Sequence, residues 1–226
     1  MIQLQNDIKT HIWNCLIFNY IACLLAVNSY NSQQKKQVYS SSDTRKLFLS
    51  LIDLVDDKNY KQNVSFLCEL QKDNNLNITK EMQTIQRKVA KLYPNTPSIT
   101  INQRVNAILR KCARENITPR NPKIWGPTMW ALLHWLSLMY TKKNSKKIES
   151  VVHLIIENLP CSICVNHATK YLKTNQIPIN SGNKAVYQYF FSFHNAVNKQ
   201  TNKKMQPEKN MLQKIKQTCM ETIQYL

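Results

Sequence analysis

Glycine is almost absent from this chain, whose 226 residues contain only 2 glycines and 8 prolines. Tight hairpin turns draw on glycine, so the chain has little material for an all-β fold. It is 43% hydrophobic and 19% charged, which argues against the disordered and fibrous classes. We expect a globular, helical protein that is long enough for one large or two small domains.

Acidic residues are also scarce: 13 Asp and Glu face 31 Lys and Arg, and the formal net charge is +18. A charge this basic raises the prospect of nucleic-acid contact. However, the basic residues are spread along the chain, and no basic run alternates with aromatic side chains as a stacking platform would require. We therefore favour a solvated basic surface, and nucleic-acid binding stays open as the less favoured alternative.

Closely spaced cysteines are rare, since only Cys161 and Cys164 lie near each other among seven. An odd, scattered set does not form a disulfide framework. The simplest interpretation of the others is buried thiols, although a shuttle role stays open for each of them: Cys15, Cys23, Cys68, Cys112 and Cys219.

Long hydrophobic runs are missing too. The longest is Ile12–Val27, which Asn14 and Asn19 interrupt. It is too short and too polar for a membrane span. A signal peptide is the alternative, but Asp7 precedes the run and no A-x-A cleavage site follows it. We favour a buried first helix and expect no membrane span.

Helical periodicity recurs along most of the chain. It is missing from residues 29–42, which we interpret as a polar linker, and from residues 115–124, which contain Pro119 and Pro122 and where we place a domain boundary. Residues 1–120 then form a helical domain of unclear role, for which dimerisation and client docking stay open, and residues 121–226 form a second domain. The predicted helices cover about 5–28, 42–55, 64–70, 79–92, 101–112, 127–141, 145–159, 161 onward, 183 onward and 207 onward.

The second domain contains the residues that suggest chemistry. Cys161 and Cys164 follow Pro160 and open a helix, where the helix N-terminus favours thiolate over thiol. Helical spacing places Gly126, Trp130 and His134 on one face, and His194 and Asn198 on another. Such faces suit a planar aromatic ligand, whereas the plainer interpretation is core packing.

Three blocks in this order, WGPTMWALLH, PCSIC and HNAVN, resemble the Erv/ALR family of FAD-linked sulfhydryl oxidases. The resemblance covers roughly residues 122–205. The helical segment before it is similar to that of the baculovirus-type viral sulfhydryl oxidases. This resemblance implies an all-α fold, with an Erv-type four-helix bundle and a fifth short helix behind a helical N-terminal domain.

The resemblance also implies the activity and the site. Cys161 would meet the substrate thiol, and Cys164 would pass electrons to FAD and on to dioxygen, giving hydrogen peroxide. Protein dithiols would be the substrates, a homodimer the assembly, and viral protein maturation in host cytoplasm, nucleus or virion the setting. The residues that match FAD-contact positions, or are plausible additions to them, are Gly126, Trp130, His134, Tyr140, His194, Asn195, Val197, Asn198 and Lys203.

The chain departs from the family pattern at three places. Phe191 occupies the first position of a structural disulfide, and no cysteine before Cys219 supplies the second. Asn202 and Lys204 replace the glycine and the proline that flank the family's lysine. No second CxxC pair is present, so substrate thiols are expected to reach Cys161 directly.

Three alternatives compete with an oxidase. Cys161, Cys164, His167 and His194 could in principle form a Cys2His2 zinc site, but the histidines are far apart and no metal is our expectation. A thioredoxin-like protein needs βαβ units that this sequence does not suggest. The third alternative is a basic structural or nucleic-acid-binding protein with an inert cysteine pair.

Overall fold

The computed structural model describes residues 6–34, 41–54, 87, 100–207, 213–215 and 217. The described residues form helices and no strand, which confirms the all-α class. In chain order, the helices are α1 (Asn6–Gln33), α2 (Ser41–Asp53), α3 (Ile101–Glu115), α4 (Pro122–Leu138), the 3-10 turn Lys142–Asn144, α5 (Ser145–Glu157), α6 (Ser162–Thr174) and α7 (Asn183–Gln200).

Helix α1 is an apolar helix at the centre of the protein. Every residue from 12 to 27 is buried, and α1 packs against α3 and α4. The Tyr20 hydroxyl donates to the Ile155 carbonyl in α5 at 3.4 Å. By length and composition alone α1 could cross a membrane, although 89% of that stretch is buried inside the protein. The prediction of a buried first helix is confirmed.

Local signals at both ends explain helix α3. Thr100 and Gln103 form a reciprocal capping box at its start, with bonds of 3.2 and 2.7 Å. Asn116 ends the helix in the left-handed region at φ 50° and donates its N–H to the last turn. Asparagine tolerates this conformation better than most side chains do, so Asn116 is a local signal for the end of α3.

Helix α4 begins five residues earlier than predicted. The Asn121 side chain caps the N–H of Lys123, and Pro122 occupies the first turn, where its missing N–H is harmless. Pro127, which we had placed at the start, lies inside the helix. The Trp125 indole donates to the Arg120 carbonyl at 3.0 Å and holds the entering chain. The predicted break at 115–124 therefore shortens to 116–121.

The later helices surround the site. Helix α4 packs against α7 and α5, α5 packs against α6, and α2 packs against α5, where Lys147 pairs with Asp53. Gly182, at φ 85°, adopts a backbone conformation that favours glycine directly before α7. The predicted starts of α5, α6 and α7 are confirmed within a residue.

Buried side chains from α1 and from α4–α7 belong to one hydrophobic cluster. The division at residue 120 stays a prediction, as does the four-helix-bundle arrangement. Helix α1 extends five residues beyond its predicted end, into the segment 29–42 that we had interpreted as a linker. The predicted helix at 64–70, all of the predicted helix at 79–92 except the helical Arg87, most of the last helix, and Cys68 and Cys219 lie outside the described residues.

Candidate active site

Cys161 and Cys164 are joined by a disulfide at the N-terminus of α6, with Cα atoms 5.1 Å apart. Cys161 is the N-cap in extended conformation, and its Sγ accepts the backbone N–H of Cys164 at 3.2 Å. A thiolate on Cys161 would therefore be stabilised by this N–H and by the positive end of the helix dipole. The prediction that Cys161 opens the helix is confirmed.

Solvent reaches the disulfide from one side. Both cysteines are half-buried, whereas Ser162 is exposed and Ile163 is 66% exposed. An incoming thiol therefore has an approach over the first turn of α6. While the sulfurs are bonded to each other, as in this structure, they offer no thiolate ligand to zinc. Among the described residues, no group of three or more His, Cys, Asp or Glu side chains could hold a metal ion.

A second cluster joins α4 to α7. Trp130 and His194 stack with ring centroids 4.1 Å apart and planes 4° apart. His134, which is fully buried, lies with its Nε2 3.0 Å from Nδ1 of His194. The structure thus brings together Trp130 and His134 from one predicted face and His194 from the other.

Both imidazoles are neutral near pH 7. Burial, followed by the charge of His194, lowers the pKa of His134 from 6.5 to about 3. Burial and, to a smaller extent, the positive charges of Lys214 and Lys203 together lower the pKa of His194 from 6.5 to about 4. A neutral pair shares one proton across its hydrogen bond, so one ring donates and the other accepts.

Two buried polar atoms of this cluster have no hydrogen-bond partner among the described residues: Nδ1 of His134 and Nδ2 of Asn198. Buried polar atoms are usually satisfied, so each of these two atoms is available to a bound ligand that reaches it. Gly126 lies on the same helix face and is buried, yet a Cβ built on it meets no atom within 4 Å. These features fit a ligand with polar edges.

Lys203 is held next to Asn198 by the backbone. After α7, the N–H of Lys203 donates to the Asn198 carbonyl at 2.8 Å and that of Asn202 donates to Lys199 at 3.3 Å. This pair of bonds is a Schellman motif, with Asn202 in the left-handed region at φ 53°. The asparagine thus adopts here a conformation that glycine adopts readily.

Three other predicted contacts are used within the chain. The Asn195 amide accepts the N–H of Gln206 at 2.8 Å and donates to its carbonyl at 3.3 Å. The Tyr140 hydroxyl donates to the Ile179 carbonyl. Val197 packs against the core. The side chains of Asn195 and Tyr140 therefore hold the loops beside the site.

Aromatic rings connect the cysteine helix to this cluster. The sequence alone did not predict this connection. Tyr171 lies seven residues after Cys164, on the same side of α6, and stacks on Phe193 at 4.5 Å. Phe193 contacts Trp130 edge-on at 5.1 Å. Lys214, near enough to His194 to affect its pKa, was missed as well. Heptad spacing from Cys164 could have indicated Tyr171, whereas no local signal indicates Lys214.

Comparison with known proteins places this geometry in context. The Erv1/Alr family model matches residues 127–218. An African swine fever virus protein named FAD-linked sulfhydryl oxidase is 35% identical over 106 residues, which cover 45% of this chain and 87% of the relative. A putative FAD-linked sulfhydryl oxidase of Invertebrate iridescent virus 6 is 34% identical over 102 residues, covering 41% and 92%. No solved structure matches the chain.

Proposed function

The chain belongs to the Erv1/Alr family, and from this premise we propose that it is an FAD-dependent sulfhydryl oxidase that forms disulfides in protein dithiols at Cys161 and Cys164 and delivers the electrons to dioxygen. The observation that carries the proposal is the Cys161–Cys164 disulfide at a helix N-terminus, open to solvent on one side. Aromatic rings connect the helix of this disulfide to the buried histidine cluster, and we propose that the cofactor binds at that cluster.

The residues present fit FAD. Nδ1 of His134 and Nδ2 of Asn198 would satisfy polar atoms of the ring system. A Cβ built on Gly126 meets no atom within 4 Å, so the helix leaves room for a ligand there, and Trp130 lies one turn later on the same face. The positive charges of Lys203 and Lys214 suit a diphosphate. When bound, FAD supplies the two-electron chemistry that connects a dithiol to dioxygen, with hydrogen peroxide as the product.

Thiol–disulfide exchange at the cysteines follows from the geometry. A substrate thiolate attacks Sγ of Cys161, which breaks the Cys161–Cys164 bond, forms a mixed disulfide and releases Cys164 as a thiolate. A second substrate thiolate then attacks the substrate sulfur of the mixed disulfide. Cys161 leaves as a thiolate that the N–H of Cys164 stabilises, and the substrate departs as a disulfide. The pair has then gained two electrons, which must leave the chain before the next cycle.

Single cysteine replacements test the assigned roles. We expect Cys161→Ser and Cys164→Ser each to lower dithiol-dependent oxygen consumption by about 100-fold or more, since neither protein can form the disulfide. In Cys164→Ser, the Cys161 thiolate should displace thionitrobenzoate from a peptide activated at a single cysteine and keep the peptide as a stable mixed disulfide, because no neighbouring thiol remains to release it. Cys112→Ala, which removes a buried free thiol, is the control and should keep the activity.

Two results would contradict the proposal. The first is turnover that survives the loss of Cys161. The second is a purified protein without a flavin absorption spectrum that takes up no added FAD. Zinc release on denaturation would instead favour the metal alternative.

Assembly and setting are part of the proposal. We propose viral protein maturation as the role, since the African swine fever virus and iridescent virus relatives are viral. The homodimer and the likeness to baculovirus-type enzymes stay predictions. Helices α1 and α2 pack on one side of α4 and α5, and a second copy of the chain would pair through surface that these contacts leave open. Sedimentation of the flavin-loaded protein measures its oligomeric state.

A further inference from the structure

We propose that Tyr171 and Tyr189 are positioning residues that hold the redox helix α6 in register against α7, and thereby keep Cys164 at a fixed distance from the Trp130–His194 cluster. This inference rests on the proposed oxidase function. It assigns a role in the reaction to two side chains outside the CxxC motif, and the role is to set the geometry of electron transfer out of the Cys161–Cys164 pair.

Tyr171 makes the contact from the α6 side. Its ring is stacked on Phe193 of α7, with centroids 4.5 Å apart and planes 17° apart. Phe193 precedes His194 in sequence, and its own ring contacts Trp130 at 5.1 Å. A sliding movement of α6 along α7 would break this stack, and offset-stacked rings resist that movement.

Tyr189 makes the second contact, from the α7 side. Its hydroxyl donates to the carbonyl of Asn175, the C-cap of α6, at 2.6 Å. The ring also meets Tyr171 at 5.9 Å and Phe190 at 5.4 Å, both edge-on. Burial raises the pKa of the Tyr189 hydroxyl, so the group stays protonated and can donate. The two tyrosines thus anchor α6 at its side and at its end.

Both contacts lie in the C-terminal half of α6, whereas the disulfide lies at its N-terminus. Seven residues separate Cys164 from Tyr171, which corresponds to about 10 Å along a helix. The anchors therefore fix the position of the helix without covering its first turn, where Ser162 and Ile163 are exposed. A substrate can reach Cys161 while Cys164 stays in place.

The decisive experiment compares Tyr171→Phe with Tyr171→Leu in the flavin-loaded protein. Excess dithiothreitol is mixed in without oxygen, and the loss of flavin absorbance is followed by stopped flow. We expect Tyr171→Phe to match the unchanged protein, because the ring stack is kept. We expect Tyr171→Leu to slow the absorbance loss about tenfold or more, since small displacements of reacting groups cost large factors in rate. Tyr30→Leu, which removes a half-buried tyrosine from α1, should leave the rate unchanged.

Tyr189→Phe removes only the hydroxyl and serves as the second variant. Hydrogen exchange of residues 162–174 reports the anchoring directly and needs no turnover, and we expect faster exchange in Tyr189→Phe and Tyr171→Leu. Flavin affinity should change less than twofold in both. The inference is overturned if Tyr171→Leu keeps its rate of flavin reduction, or if its slower rate is matched by an equal loss of flavin affinity. Failure of the unchanged protein to bind flavin would instead remove the proposed function.

Discussion

The paired imidazoles of His134 and His194 make the stability of the protein depend on pH. Their pKa values are about 3 and 4 in the folded chain, compared with 6.5 for an exposed histidine. Between these values the unfolded chain binds more protons than the folded one, so acid favours unfolding. The stabilisation is complete above pH 6.5 and is lost progressively as the pH falls from 6.5 toward the folded pKa values of about 4 and 3. The buried histidine pair therefore favours the folded state at neutral pH and disfavours it in acid.

Urea unfolding of the flavin-loaded protein at pH 7 and pH 5 measures this dependence. His134 alone should lower the free energy of unfolding by about 2 kcal/mol between the two pH values, since one pKa unit corresponds to about 1.4 kcal/mol. His134→Gln should have a smaller pH difference, whatever its absolute stability. His167→Gln removes an exposed imidazole and should keep the full difference. An equal pH difference in His134→Gln would show that the buried pair is not the cause.

Replacement of Gly126 should affect the stability of the protein and its affinity for FAD in different ways. A Cβ at this position meets no atom within 4 Å, and alanine suits a helix better than glycine by about 0.5–1 kcal/mol. We therefore expect Gly126→Ala to raise the unfolding temperature of the flavin-free protein slightly and to weaken FAD binding about tenfold. Gly182→Ala is the control: at φ 85° the alanine should lower the stability of the protein and leave FAD binding unchanged. Unaltered FAD binding in Gly126→Ala would place the ligand elsewhere.

At the scale of elements, the end of α7 determines where Lys203 lies. The Schellman motif requires a left-handed residue at position 202, and Asn202 supplies it. Valine in this conformation costs about 1–2 kcal/mol. Asn202→Val should therefore lower stability by this amount and also weaken FAD binding, because the backbone that presents Lys203 shifts.

Asn116→Val is the matched control, since Asn116 has φ 50° at the end of α3. It should lower stability by a similar amount and leave FAD binding unchanged, and Asn202→Gly should keep both. Denaturant titration and flavin fluorescence measure the two quantities. Equal FAD affinity in the two valine variants would remove the proposed link between this motif and the site.

Local signals made much of the fold predictable. Helices α5, α6 and α7 begin where a serine, a cysteine after proline, and an asparagine after glycine predict them. The start of α4 was wrong because Pro122 and Pro127 both suit a first turn, and the choice depends on the bond from Trp125 to Arg120. The use of Asn195 for Gln206 and of Tyr140 for Ile179 depends on tertiary packing, which spacing along one helix does not reveal.

At the scale of the whole molecule, α1 joins the first half of the chain to the second. Leu16 is fully buried, and its replacement by alanine should lower the free energy of unfolding by about 2–5 kcal/mol. Because α1 packs on α4, we expect flavin release and helix loss to occur in one transition that shifts as a unit in Leu16→Ala. Far-UV circular dichroism and flavin fluorescence during heating measure this.

Ser32→Ala, at an exposed position of the same helix, is the control and should leave the transition in place. Two separate transitions, of which only the first moves in Leu16→Ala, would instead support the predicted domains 1–120 and 121–226. The result decides whether the N-terminal half is a separate unit or a part of the oxidase core.

During synthesis on the ribosome, α1 is complete long before the last of its packing partners. Ile155, which accepts the bond from Tyr20, follows 135 residues later in the chain. At about 5–20 residues per second, the sixteen consecutive buried residues of α1 wait on the order of ten seconds for this partner. We expect the nascent chain to expose an apolar segment during that interval, which favours aggregation at this stage of synthesis.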